Sequence, residues 1–289
     1  MPSSTVDPQQ LAQRIREAIR DSGLSQREVS KQIELDETKL SKSLTGVRRL
    51  NSDELLKMAR VTGVTTNWLL TGRDDGLEMT GPVRIPPNRS VEESEKALRR
   101  RRIIEEAWWL FAQRGYADVR IADIARQAGV SSPAVHYYFA TKRAIFAETL
   151  RYSVKLAFDR QIASLFTIEG PVERLIELCR LQLPITEERR ASWSIWLQTW
   201  ADVATVDDGR KNHAEGYQRW QQMVRSIIVE GQEFGVFRLA DPDALTSDLT
   251  SLIDGYGIKV MTGLVSGDRM LRHVAGYIES HLVIGKPPG

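Results

Sequence analysis

An all-α fold is predicted by three features of the sequence. Apolar residues recur at three- and four-residue spacings, strand-like alternation is scarce, and glycines, prolines and capping residues divide the helical pattern at regular intervals. At 289 residues the chain exceeds the size of one ordinary core, so two or three domains are expected.

The first segment, 1–73, holds five short helices. Leu11, Ile15, Ala18 and Ile19 share one helical face, and Gly23 ends that helix as a C-terminal cap. Ser25 and Glu28 form a capping box opening a second helix. Asp36 caps a third through about Leu44, closed by Gly46. Asn51 and Glu54 start a fourth whose core face continues through Leu55, Leu56 and Ala59. Trp68, Leu69 and Leu70 seal the bundle from a last short helix. A linker follows over 74–95, where Gly76, Gly81, Pro82, Pro86 and Pro87 leave little apolar surface to bury.

Nine further helices are expected near 91–114, 121–128, 132–138, 141–166, 171–182, 187–204, 208–234, 242–264 and 268–283. They are split by Gly115, Gly129, Gly170-Pro171, Pro184, Asp207-Asp208, Gly235, Pro242 and Gly267.

Composition narrows the function. The net charge of +2 is uneven: residues 96–151 carry 11 Lys/Arg against 5 Asp/Glu, whereas 1–75 carry 12 against 11. A concentrated basic segment suits a phosphate backbone, although a solvated helix face gives the same count. A single cysteine, Cys179, favours a reducing compartment. Met1–Gln10 is polar and no apolar run approaches the ~20 residues of a membrane span. A cytoplasmic protein with no membrane partner is expected. An enzyme is not, because there is no phosphate-cradling glycine loop, no nucleophile elbow and no clustered metal ligands, while His136, His213, His273 and His281 are scattered. No catalytic residue, metal or cofactor is assigned. A helical enzyme stays a minor alternative, since fold alone does not exclude function.

Two stretches have the requirements of a helix-turn-helix, in which one short helix braces another that enters a major groove about 12 Å wide. In Ile121–Ser131, Ile124 and Ala125 face inward, Gly129 takes the turn and Ser131 caps the second helix. With Phe111, Gly115-Tyr116, Ala128-Gly129-Val130-Ser131, Tyr138-Phe139 and Lys142, this stretch resembles the DNA-binding domain of the TetR family of regulators. The resemblance bounds a DNA-binding domain at 96–150 and implies that Ser131, Ser132, Pro133, Ala134, His136 and Tyr137 face bases while Tyr138 and Lys142 hold phosphates. Pro133, His136 and Arg120 depart from the usual glycine, tyrosine and Ser/Thr cap of that family, and Arg120 is itself a candidate DNA contact. Arg100, Arg101 and Arg102 are candidates for an adjacent groove or phosphates, with a solvated basic run as the alternative.

The N-terminal segment resembles the XRE/Cro class of helix-turn-helix domains through Leu24-Ser25-Gln26, Leu40-Ser41-Lys42, Gly46 and Trp68-Leu69-Leu70. Thr38, Lys39, Ser41 and Lys42 are its candidate contacts, with Gln26 and Arg48 or Arg49 on the backbone. Glu34 stands where the turn usually has glycine, and Asp36 with Glu37 puts acid at the start of the recognition helix. Two readings stay open: a second DNA reader, or a module that recruits a protein partner.

Residues 151–289 resemble the ligand-binding and dimerisation half of the TetR family. That implies a homodimer through the last two helices, a small-molecule effector, and repression relieved when the effector removes the dimer from double-stranded operator DNA. Trp193, Trp196 and Trp200 share one helical face, with Tyr217 and Trp220 on the next helix. Such a stripe is either plain core or the wall of a cation site, with Asp202, Asp254 or another nearby acid as counter-charge. Ala191–Phe237 resembles the choline-responsive BetI-type subgroup, which implies an amine or quaternary ammonium effector.

Overall fold

The computed structural model describes residues 7–72, 91–166, 168–205 and 210–284. The expected linker falls for the most part outside them. The described residues form fourteen α-helices and one π-helical turn, with a lone bridge between Phe237 and Val283 as the extended pairing. They divide into two compact units, residues up to Ile103 with Phe158–Thr167, and Ile104–Ala157 with the residues from Ile168 onward.

In the first unit, α1 (Pro8–Ser22), α2 (Gln26–Gln32), α3 (Glu37–Leu44), α4 (Ser52–Thr62) and α5 (Thr66–Thr71) begin and end where the capping residues stand. Asp36 accepts from the backbone N–H groups of Thr38 and Lys39, and the Ser25/Glu28 and Asn51/Glu54 boxes both close. These bonds satisfy amides that a helix start leaves unpaired. Ile15, Ile33, Leu40, Met58 and Leu69 pack as one buried core. Arg14 donates to the Leu69 and Leu70 carbonyls, both at 2.6 Å, joining α1 to the carbonyl end of α5. Glu34 adopts φ 56°, the left-handed conformation that glycine normally supplies, and its carboxylate pairs with Lys57 at 2.7 Å. Asp159, buried near the end of a later helix, accepts from the Thr66 backbone N–H at 2.9 Å at the positive end of α5.

In the second unit, α6 (Val91–Asp118), whose first turns belong to the other unit, bends at Gly115 (φ 80°). Next come α7 (Ile121–Ala128), α8 (Ser132–Tyr138) and α9 (Lys142–Leu165), whose last two turns carry Asp159. The bundle is α10 (Pro171–Gln182), α11 (Glu187–Thr205), α12 (Arg210–Glu233), α13 (Pro242–Met261) and α14 (Gly267–Tyr277), ending in the π-turn Ile278–Leu282. Trp108 and Phe111 are fully buried, and the Trp108 indole donates to Ser153 Oγ at 2.6 Å. Gly231 must be glycine, since a Cβ there would sit 2.1 Å from the Phe237 ring. Cys179 is fully buried, and burial pushes its thiol far above the usual range, so it is inert packing. Among the described residues no helix is long and apolar enough to cross a membrane.

Candidate functional site: two reading heads and an aromatic cluster

The head formed by α7 and α8 is built by burial on one side and exposure on the other. Ile124, Ala125, Ala128 and Val135 are buried, Gly129 turns the chain at φ 67°, and Ser131 Oγ accepts from the Ala134 backbone N–H. The Asp123 carboxylate accepts from the Arg120 backbone N–H at 3.0 Å, so the box comes from the acid although Arg120 replaces the usual cap. Ser131, Pro133, His136 and Tyr137 are exposed, with Tyr137 at 71%, while Ser132, Ala134 and Tyr138 are half-buried. The Tyr137 and Tyr138 rings meet edge-on at 5.0 Å.

Lys142 turns inward. Its ammonium donates to the carbonyls of Tyr116 (2.8 Å) and Val119 (3.0 Å) and lies 4.2 Å from the centre of the Tyr116 ring. This binds the start of α9 to the carbonyl end of α6, where a cation is favoured. Lys142→Ala should lower the unfolding free energy by about 1–2 kcal/mol, read by thermal or urea unfolding, before any effect on DNA is considered.

In the N-terminal head Thr38, Lys39, Ser41 and Lys42 are exposed along α3, with Gln26 exposed on the first turn of α2 and Arg49 exposed beyond α3. Arg48 is committed elsewhere, forming a two-pronged pair with Glu54 at 2.9 and 2.7 Å. In the same unit Arg102 is exposed, and Arg100 and Arg101 are half-buried.

The aromatic residues come together across α11 and α12, with Asp254 joining them from α13. Trp200 contacts Trp193 (6.0 Å between ring centres) and Trp196 (6.1 Å), Trp196 contacts His213 (5.7 Å), and His213 stacks on Tyr217 at 6.0 Å and 19°. Two glycines admit the indoles: a Cβ on Gly257 would fall 1.9 Å from Trp193, and one on Gly216 would fall 3.2 Å from Trp196. Trp193 donates to the Gln182 carbonyl at 2.6 Å, and Trp220 is half-buried one turn beyond Tyr217. The Tyr217 hydroxyl donates a hydrogen bond to Asp254 Oδ2. Burial pushes the Asp254 carboxyl up to about 6, opposed by that bond, and burial also raises the Tyr217 phenol. Asp202 pairs instead with Arg143 on the first turn of α9 at 3.0 Å.

Sequence reasoning passed over three residues. His213, dismissed among scattered histidines, is part of the aromatic cluster. Ser194 and Gln198, four residues apart on α11, bond to the reading-head end of α6: Ser194 donates to the Ala112 carbonyl (2.9 Å), and Gln198 donates to the Phe111 carbonyl (3.0 Å) and accepts from the Tyr116 backbone N–H (2.7 Å). A polar pair one turn apart inside an apolar helix was the available signal.

Three family models match the chain. Residues 171–283 match the C-terminal domain of BetI-type transcriptional repressors, 103–149 the tetR family of bacterial regulatory proteins, and 12–75 a helix-turn-helix domain. Among curated relatives, the HTH-type transcriptional regulator BetI of Agrobacterium fabrum is 26% identical over 165 residues, covering 56% of this chain and 76% of that protein. BetI of Brucella abortus is 31% identical over 112 residues, covering 38% of this chain and 56% of its own length. Among solved structures, a transcriptional regulator from Saccharomonospora viridis in complex with choline is 46% identical, with a TM-score of 0.62 over 64% of this chain and 98% of that one. A TetR-family regulator from Rhodococcus sp., 22% identical with a TM-score of 0.57 over 63% of this chain and 96% of that one, shares the fold.

Proposed function

The chain belongs to the tetR family of bacterial regulatory proteins, with a BetI-type C-terminal domain and an added N-terminal helix-turn-helix domain, and from that premise we propose a repressor released from its operator by a quaternary ammonium ligand of the choline class. The family is one of DNA-binding transcriptional regulators and not of enzymes. The observation that carries the ligand is the joining of Trp193, Trp196, Trp200 and Tyr217 with the Asp254 carboxylate in one cluster. Aromatic faces attract a cation by about 0.5–2 kcal/mol each, and a half-buried carboxylate supplies the counter-charge. The choline complex of the 46% identical regulator supports the same class.

On the DNA side, we assign Ser131, Ser132, Pro133, Ala134, His136 and Tyr137 to base edges and Tyr138 to phosphate, with Lys142 holding α6 and α9 in register. The protein acts in the cytoplasm as a homodimer through α13 and α14, where Ile258 on α13 (41% exposed) and Leu264 in the turn between the two helices (76%) offer apolar surface. DNA selected from random sequence and footprinted with the full chain tests this. A palindromic site is expected, with half-sites about one helical turn apart. Absence of protection even at low salt, where phosphate contacts are strongest, contradicts it.

The route from ligand to DNA runs through α11. One face of that helix carries the three tryptophans, while Ser194 and Gln198 bond to α6 and Asp202 to Arg143 of α9. A ligand displaces DNA only if it favours the arrangement of α11 that misplaces the reading heads. Gln198→Leu should leave choline binding within about threefold while reducing ligand-driven release at least about tenfold, read as operator anisotropy against choline concentration.

For the N-terminal head DNA reading comes first, and recruitment of a protein partner is a second reading with specific support. Arg48 is tied to Glu54, and acids at 36 and 37 open α3, which weakens its phosphate-binding face. We propose that Thr38, Lys39, Ser41 and Lys42, with Gln26 and Arg49, read DNA beside the main site, and that Arg100–Arg102 add phosphate contacts. An unchanged footprint and salt slope in Lys42→Ala would instead support recruitment of a protein partner.

A further inference from the structure

We infer that His213 is the polar reader of the aromatic site and selects quaternary ammonium ligands that carry a hydroxyl group, an inference that rests on the cation site proposed above. The imidazole is one wall of the cluster, 5.7 Å from the Trp196 ring centre and nearly parallel to Tyr217 at 6.0 Å. Its Nε2 is buried and has no hydrogen-bond partner. A buried ring nitrogen without a partner carries an uncompensated desolvation cost, so such an atom marks a place where another molecule completes the bond. The Tyr217 ring that stacks on this imidazole already holds an acid: Asp254 receives the Tyr217 hydroxyl, leaving its carboxylate available to a positive charge. The site thus offers aromatic rings and a carboxylate for the cationic head, and one unsatisfied nitrogen for a second group on the ligand.

The chemistry of that second group follows from the imidazole. Burial moves His213 below its ordinary value, so the ring is neutral at neutral pH and does not repel a cation. A neutral imidazole presents one N–H and one lone pair, and a hydroxyl can donate or accept, so it fits either tautomer. A methyl group at the same position leaves Nε2 unsatisfied. A carboxylate there accepts only, and brings a second negative charge near Asp254.

The test is calorimetric titration of the full chain with choline, with propyltrimethylammonium, in which a methyl replaces the hydroxyl, and with glycine betaine, which carries a carboxylate. Wild type should bind choline about 10- to 100-fold more tightly than the propyl analogue, and betaine more weakly still. His213→Phe should weaken choline by the same factor and leave the propyl analogue within about threefold, while His213→Gln restores part of the preference. Equal binding of choline and the propyl analogue by wild type overturns the inference but leaves the cation site standing, and this result does not depend on how any variant folds. Equal weakening of both ligands in His213→Phe shows a packing role and also overturns it. Wild type that binds none of the three removes the cation site itself, and the inference with it.

Discussion

Asp254→Asn is expected to weaken choline binding by about 100-fold or more, with the helices intact and operator binding in the absence of ligand unchanged. Asparagine keeps the shape and can still accept from Tyr217, but it removes the negative charge that the Asp254 carboxylate brings to the aromatic cluster. The pH dependence gives an independent signature. With the Asp254 carboxyl pushed up to about 6 by burial, affinity for the cation should be level above neutrality and fall as pH drops through about 6, approaching tenfold per unit. Stability of the ligand-free protein runs the other way. Because folding raises this acid above its usual value, ionising it costs stability at neutral pH, and that cost is relieved as pH falls from about 6 towards the ordinary carboxylate range. Asp254→Asn should flatten both profiles. Calorimetry between pH 5 and 8 with parallel thermal unfolding checks each arm.

The second large effect is expected at α8. Tyr137→Ala should weaken operator binding by about 10- to 100-fold, because Tyr137 stands 71% exposed at the reading face and its loss costs the fold little beyond one edge contact with Tyr138. If it reads a base, discrimination at one operator position should relax while the salt slope stays constant; a change of about one in the slope would assign it to a phosphate instead. His136→Ala, on the same exposed face, should show the same pattern more weakly. Binding curves on the selected operator at several salt concentrations separate these outcomes.

The helix ends were legible because capping is local. Ser25 with Glu28, Asp36, Asn51 with Glu54, Gly129 and Ser131 each act within three or four residues, and α2, α3, α4, α7 and α8 start or stop at them. The tryptophan stripe on α11 was legible for the same reason, since period alone places residues 193, 196 and 200 on one face. Period does not say what that face meets. It could not show that Asp254 joins the rings while Asp202, a second aspartate and on the tryptophan helix itself, is drawn to Arg143 fifty-nine residues earlier. Nor could it turn Lys142 inward onto the carbonyls of Tyr116 and Val119, or bring Asp159 to the amide of Thr66 across ninety-three residues. His213 shows the same limit: its relation to Tyr217 is one helical turn, but its meaning comes from Trp196 on another helix.

Reciprocal coupling between ligand and operator tests the central claim most directly. Operator affinity is measured with and without saturating choline, and choline affinity with and without saturating operator, on the same full-length protein at one salt concentration. The account predicts that each partner weakens the other by the same factor, about 5- to 150-fold, because both draw on one equilibrium between two arrangements of the protein. Choline that binds without changing operator affinity, or operator that binds without changing choline affinity, would contradict it.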